Sequence, residues 1–179
     1  MRKSSILFKT AMHEAAHFVL NNYLVPNNVI DRITIIKVKN SLGTVRGEDI
    51  SGYERISSSL ISKEISILYA GYMAEVYLCN QKKKIARLHA CGDLEQIKYW
   101  TKQTGFIGER KKNFRFKARL RSKKLVLKFK SQIYTLASQL MIKKVITGEE
   151  ALLIILTSKG EREAVIALEQ YRLLAYSSI

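Results

Sequence analysis

The stretch that decides the fold is SSILFKTAMHEAAHFVL, residues 4–20 of a chain of 179 residues. Its apolar positions recur at helical spacing, and Ser4 or Ser5 stands where a hydroxyl can cap a helix N-terminus. The spacing predicts a helix over residues 4–24, which ends before the lone proline, Pro26.

Inside this predicted helix lies the pattern His13-Glu14-Ala15-Ala16-His17. Four residues rotate a helix by about 400°, so the two histidines share one face and can hold one Zn²⁺ through their imidazoles. Glu14 projects beside that face, where it can take a proton from a water that the metal polarises. The pattern therefore predicts metal-dependent hydrolysis of amide bonds.

Chance does not explain this pattern well. The chain has 3 His among 179 residues, and a random shuffle of its composition gives roughly 0.003 such matches. A catalytic zinc site needs a third protein ligand, and the candidates by residue type are Glu75, His89, Cys91 and Asp93. The residues alone leave this choice open, because an Asp at a helix start is often only a cap.

The rest of the chain predicts a mostly helical α+β domain. β-branched residues at 29–38, a turn at Asn40-Ser41 and residues 42–46 predict a hairpin. Helical spacing predicts helices over 57–79, 93–104 and 123–145, and capping boxes at Thr147 and Ser158 predict two more, over 151–156 and 164–176. We expect one domain over 1–179, with the metal site in 1–108 and a basic segment and C-terminal helices in 109–179.

Composition narrows the class of protein. The chain is 47% hydrophobic with 1 proline, which excludes extended disorder. It has no run of about 18 apolar residues and no signal-peptide pattern, so we expect a cytoplasmic protein, either free or peripheral to a membrane. Cys79 and Cys91 are expected to be free thiols, because one bridge does not make a disulfide framework.

The positive charge is concentrated in one segment. Of the net charge of +16, residues 109–130 carry +10, from 11 Lys/Arg against 1 Glu. Phe114, Phe116 and Phe129 interleave with these cations. Three interpretations stay open: a solvated helix face with a mobile loop, contact with acidic lipid or nucleic-acid phosphates, or contact with an acidic partner. No nucleic-acid-binding motif favours the nucleic-acid version.

Several segments, in the same order, resemble the peptidase domain of the FtsH-type membrane-bound AAA metalloproteases. Residues 10–17 (TAMHEAAH) resemble T-A-x-H-E-A-G-H, and residues 70–75 (AGYMAE) resemble G-G-R-x-A-E. Residues 33–38 with 42–43 are similar to the strand region V-x-I-I-P-R…L-G. Residues 90–95 (ACGDLE) resemble T-T-G-A-x-N-D-[LI]-x-x-A-T, and residues 146–150 (ITGEE) resemble T-L-x-G-x-E-[IL].

The resemblance implies a zincin-like metallopeptidase domain with a specific set of site residues. It implies that His13, His17 and Asp93 bind Zn²⁺ and that Glu14 is the catalytic base. Glu75 would orient an imidazole from outside the ligand set or form a plain buried ion pair. Residues 87–89 depart from the family's Thr-Thr-Gly, so His89 can approach the metal as an alternative ligand. Tyr72 replaces a family arginine.

The resemblance also has consequences for how substrates reach the site. The phosphate-binding pattern G-x-x-x-x-G-K-[ST] is absent from the sequence, and so are the family's preceding transmembrane segments. We therefore expect a zinc metalloendopeptidase that cuts extended or unfolded polypeptides without ATP, or is fed by a separate ATPase. The alternative is an inactive interaction module of the same fold that binds acidic surfaces through residues 109–130. The sequence leaves the oligomeric state open.

Overall fold

The computed structural model describes residues 5–36, 43–47 and 56–177. These ranges form mostly helices with a small antiparallel sheet, as the sequence predicted. In chain order the elements are α1 (Ile6–Leu24), β1 (Ile30–Thr34), β2 (Thr44–Gly47), α2 (Ser58–Leu68), α3 (Ala70–Tyr77), α4 (Lys83–His89), α5 (Cys91–Gln103), α6 (Gly108–Lys128), α7 (Lys130–Lys143), β3 (Val145–Thr147), α8 (Gly148–Ser158) and α9 (Arg162–Ser177). None of the described helices is both long and apolar enough to cross a lipid bilayer.

The first helix, α1, lies at the centre of the molecule. The Ser5 hydroxyl accepts a hydrogen bond from the Phe8 backbone N–H at 3.2 Å, which confirms the predicted cap. Every residue from Thr10 to Asn21 is buried, because α1 packs against α7, α3 and α2 as well as the sheet. The histidine pair therefore lies inside the protein rather than on a surface helix.

The sheet has the strand order β2-β1-β3, and both pairings are antiparallel. Ile33 on β1 lies opposite Val45 on β2 and Ile146 on β3, and its side chain is fully buried. The predicted hairpin between the first two strands is confirmed, although its turn residues Asn40 and Ser41 lie outside the described residues.

The third strand was not predicted, because the expected helix over 123–145 ran through its start. The helix α7 ends at Lys143, since Lys144 adopts a left-handed backbone with φ of 65°. The Lys144 carbonyl then accepts a hydrogen bond from the Ile35 N–H at 2.9 Å. The chain is thereby directed alongside β1.

Two of the predicted helices are broken in the structure. The segment 57–79 forms α2 and α3, which meet at Tyr69, and the segment 123–145 falls in α6 and α7, which meet at Phe129. The Phe129 ring packs 4.8 Å from the Tyr23 ring. Neither Tyr69 nor Phe129 is a glycine or proline, and Gly71, two positions after Tyr69, lies inside α3, so local signals did not mark either break. The helix α4 was also not predicted.

The capping predictions in the C-terminal third had mixed outcomes. Thr147 caps α8 by accepting a hydrogen bond from the Glu150 N–H at 3.2 Å, as predicted. The prediction for Ser158 was wrong: it is the last residue of α8 and donates to the Ile155 carbonyl at 2.6 Å. Serine side chains bond the preceding turn in this way, so a serine does not always mark a helix start.

A buried carboxylate ties the last three helices together. Glu150 Oε1 on α8 accepts from Lys143 Nζ of α7 at 2.7 Å and from Arg172 Nε of α9 at 3.2 Å. Two cations compensate one buried anion, which satisfies it in a low-dielectric setting.

Both cysteines are free thiols, in agreement with the sequence prediction. Burial, together with the nearby Glu75 carboxylate, raises the pKa of the Cys79 thiol to about 11. A thiol with such a pKa is almost entirely protonated at neutral pH, which makes Cys79 a poor nucleophile.

Candidate metal centre

Three potential ligand atoms converge where α1 faces the start of α5. Asp93 Oδ2 lies 3.0 Å from His13 Nε2 and 3.4 Å from His17 Nε2. The potential ligand atoms of the three residues all lie within 4.8 Å of one another. The histidines are buried, and the Asp93 side chain is 21% exposed. This group can hold a metal ion.

Each ring is held by a partner on its other nitrogen. His17 Nδ1 lies 2.9 Å from the Ile67 carbonyl oxygen, and His13 Nδ1 lies 2.8 Å from Glu75 Oε1. A carbonyl oxygen accepts but never donates, so His17 Nδ1 carries a proton and Nε2 is the nitrogen left to face the ligand group. Partners of this kind fix the tautomer and direction of metal-binding imidazoles.

The absence of a side chain at Gly71 leaves room for the His13 ring where α1 and α3 approach each other closely. Gly71 lies in the first turn of α3, and a methyl group added to its Cα would lie 2.3 Å from the His13 ring. No side chain fits there without displacing the ring. The α2–α3 junction at Tyr69 lies between Ile67, which holds His17, and Gly71, which admits His13.

Glu75 is a buried carboxylate that joins two histidines. It is 1% exposed, and its second oxygen, Oε2, lies 2.7 Å from His89 Nδ1. His89 is the last residue of α4. Among the described residues, Glu75, His89 and Cys91 all lie outside the group of atoms within 4.8 Å of one another. The structure therefore places His89 one carboxylate away from His13 and not within the metal-ligand group.

The catalytic candidate, Glu14, is buried and faces the same cavity as the ligand group. This cavity has a volume of about 630 Å³. It is lined by Glu14, His17, Asp93 and Glu95, and also by Val45 of β2 and by Gly43, which precedes β2. A methyl group on Gly43 would lie 2.7 Å from Glu14 Oε1 and 2.8 Å from the Thr34 carbonyl oxygen. The backbone at Gly43 thus forms a wall against the Glu14 carboxylate.

The charges of the site are strongly coupled. Burial raises the pKa of Glu14, although the nearby histidines oppose this shift. Burial alone would lower the pKa values of His13 and His17, but their interactions with Asp93 outweigh it and raise both, with Glu75 adding to the effect at His13. Burial also disfavours the charged form of Asp93, yet the two histidines hold the pKa of that carboxyl well below its usual range.

Sequence reasoning missed some of the residues that shape the site. The Ile67 carbonyl carries no side-chain signal, and the contact of Gly43 with Glu14 depends on how the hairpin packs on α1. Gly71, by contrast, belongs to the segment 70–75 that resembles the family motif. No protein-family model and no curated protein sequence matches this chain.

Proposed function

We propose that the protein is a zinc-dependent peptidase with a zincin-like, FtsH-type catalytic domain. The observation that carries the proposal is the convergence of His13 Nε2, His17 Nε2 and Asp93 Oδ2 beside Glu14, on a cavity of about 630 Å³. The segments that resemble the FtsH-type domain support the same conclusion.

The donor set suits Zn²⁺. Two imidazoles and one carboxylate are nitrogen and oxygen donors that zinc accepts, and three protein ligands leave one position for water or substrate. The outer partners, Glu75 and the Ile67 carbonyl, match what such imidazoles need. When bound, zinc would act as a Lewis acid toward the attacking water and the scissile carbonyl.

Glu14 supplies the proton transfers. Its carboxylate faces the cavity beside the ligand group and can accept a proton from the attacking water, then deliver it to the leaving amine. The pKa of Glu14 is raised toward neutral pH. A group whose pKa lies near the working pH can serve first as a base and then as an acid. The backbone at Gly43 lies close to this carboxylate, with no room for a side chain between them.

The position of the sheet beside the cavity supports a proposal for the substrate class. Among the described residues, β2 pairs with β1 on one side, while Gly43 and Val45 line the cavity. An extended peptide can add to such a strand through backbone hydrogen bonds, which recognise no particular sequence. We therefore assign extended or unfolded polypeptides as the substrate class, with ATP not required by the site itself.

The test compares two carboxylates that line one cavity. Glu14→Gln should retain zinc and circular dichroism but hydrolyse a labelled unfolded protein at least about 10²-fold more slowly, since a general base contributes about 10² to 10⁴. Glu95→Gln, at an exposed position on the same cavity, should stay near wild-type activity. Zinc is measured by elemental analysis of each purified protein.

Equal cleavage by wild type and Glu14→Gln would contradict the proposal. Together with retained zinc, that result would favour the inactive interaction module. A wild-type protein that binds no zinc would contradict the metal assignment itself.

A further inference from the structure

The basic segment is a helix, and its exposed side chains are sorted into two strips. Residues 108–128 form α6, so the interpretation that part of this segment is a mobile loop is wrong. The helix buries Ala118, Ser122, Leu125 and Val126 against the rest of the protein. The remaining faces present cations and apolar side chains to solvent.

One strip is cationic. At 100° per residue, five exposed cations fall within a strip about 60° wide along the whole length of α6. They are Arg110, Lys117, Arg121, Lys124 and Lys128. The one acidic residue of the helix, Glu109, pairs with Lys112 at 2.6 Å outside this strip.

The second strip is apolar and lies opposite the buried face. Phe116, Leu120 and Leu127 are 61%, 41% and 42% exposed, and their spacing places them within about 40° of one another. The cationic strip borders them on one side, and Lys112 and Lys123 border them on the other. A row of exposed apolar side chains with cations on both flanks is the pattern of a helix that lies in a membrane interface.

The other two phenylalanines of the basic segment have partners inside the protein. Phe114 packs edge-to-face on Phe106 at 5.2 Å, and Phe129 packs on Tyr23 at 4.8 Å. Of the three aromatic residues in this segment, Phe116 is therefore the one available to a partner.

We propose that α6 docks on the surface of an anionic lipid bilayer. Phe116, Leu120 and Leu127 would enter the boundary between headgroups and acyl chains, while the flanking cations contact anionic headgroups. Lipid is favoured over nucleic acid because a phosphate backbone matches the cations but offers no apolar layer to the leucines. The inference is independent of the proposed peptidase activity.

Cosedimentation with vesicles of phosphatidylcholine, with and without phosphatidylserine, tests the cationic strip. Wild type should pellet with the anionic vesicles only. The variant Lys117→Gln/Arg121→Gln/Lys124→Gln/Lys128→Gln should bind at least about 10-fold more weakly, because each cation near the membrane adds to the attraction. The control Lys83→Gln/Lys84→Gln/Lys98→Gln/Lys102→Gln loses the same net charge from exposed positions on α4 and α5 and should bind like wild type.

Equal losses in both variants would overturn the proposal, because net charge alone would then explain binding. Circular dichroism confirms that each variant is folded.

The apolar strip is tested with a substitution that keeps the helix intact. In Phe116→Trp, tryptophan emission should shift to the blue on anionic vesicles and be quenched by brominated lipid. The wild-type protein, whose one tryptophan is the buried Trp100, should show neither effect. An unshifted emission in the presence of bound vesicles would overturn insertion, and tighter binding to single-stranded RNA than to vesicles would favour nucleic acid.

Discussion

The metal centre and α6 use charge in opposite ways. At the metal centre, His13, His17, Glu75 and Asp93 are buried or partly buried, and each has a partner within 3.0 Å. On α6, the five cations of the cationic strip are exposed, and none of them forms an ion pair among the described residues. The effect of a buried charge depends on the geometry of its individual contacts, whereas the effect of a solvated strip depends on its total charge. Single substitutions should therefore have large effects at the centre and small ones on α6.

Loss of a ligand should have the largest effect. His13→Ala, His17→Ala and Asp93→Ala should each abolish stoichiometric zinc, because two remaining donors do not hold the metal firmly. Cys91→Ala is the matched control, since Cys91 lines the same cavity outside the ligand group and should retain zinc. Elemental analysis after dialysis reads out the result. Zinc retained by Asp93→Ala and lost from His89→Ala would show that the ligand set differs from the one proposed.

Acidity should produce the next largest effect. Zinc must displace protons from His13 and His17, whose pKa values are raised, so its affinity should rise with pH until both are deprotonated. Asp93 stays ionised throughout because its pKa is lowered. Below both histidine pKa values the affinity should change up to about a hundredfold per pH unit. Chelator competition from about pH 6 to about pH 8 measures this slope, and a flat profile would contradict proton displacement.

Two glycines that line or adjoin the metal centre test whether close packing at Gly71 positions the His13 ring. Gly71→Ala should displace the His13 ring and weaken zinc binding by about 10- to 100-fold, comparable to loss of a ligand's outer partner. Gly92→Ala lies on the same cavity, but a methyl group there meets nothing within 4 Å, so zinc affinity should be unchanged. Equal affinities in both variants, measured by chelator competition, would mean that α3 yields to the added methyl group.

The smallest effects belong to α6. Lys117→Gln and Lys124→Gln should each change the free energy of unfolding by no more than about 0.5 kcal/mol, as exposed charges do, and the two changes should add. Urea denaturation of the single and double variants measures both quantities. A loss above about 2 kcal/mol from either lysine would show that the strip contributes to the fold and would erase the contrast with the metal centre.

The local parts of the site could be predicted from the sequence, and the distant ones could not. His13, Glu14 and His17 lie within one turn and a half of a helix, so spacing alone brings them together. Asp93 follows 76 positions after His17, and its place in the site came from the resemblance. The bridge from Glu75 to His89 depends on where α4 packs, and α4 itself was not predicted.

The same division holds for the fold. Ser5 and Thr147 were identified as caps because a cap involves neighbouring residues. The junctions at Tyr69 and Phe129 and the strand β3 depend on tertiary contacts, which outweigh local helix preference over these short stretches.

The late position of β3 in the chain determines when the sheet can be completed during synthesis. Arg32 pairs with Thr147, so β1 gains its second neighbour only after more than one hundred further residues have been made. All three candidate ligands precede residue 94, yet α1, which carries two of them, also packs on α7. A nascent chain arrested before Lys130 would contain every donor while lacking both α7 and β3. Metal acquisition should therefore be a late event, detectable as zinc bound by the released protein and not by the arrested chain.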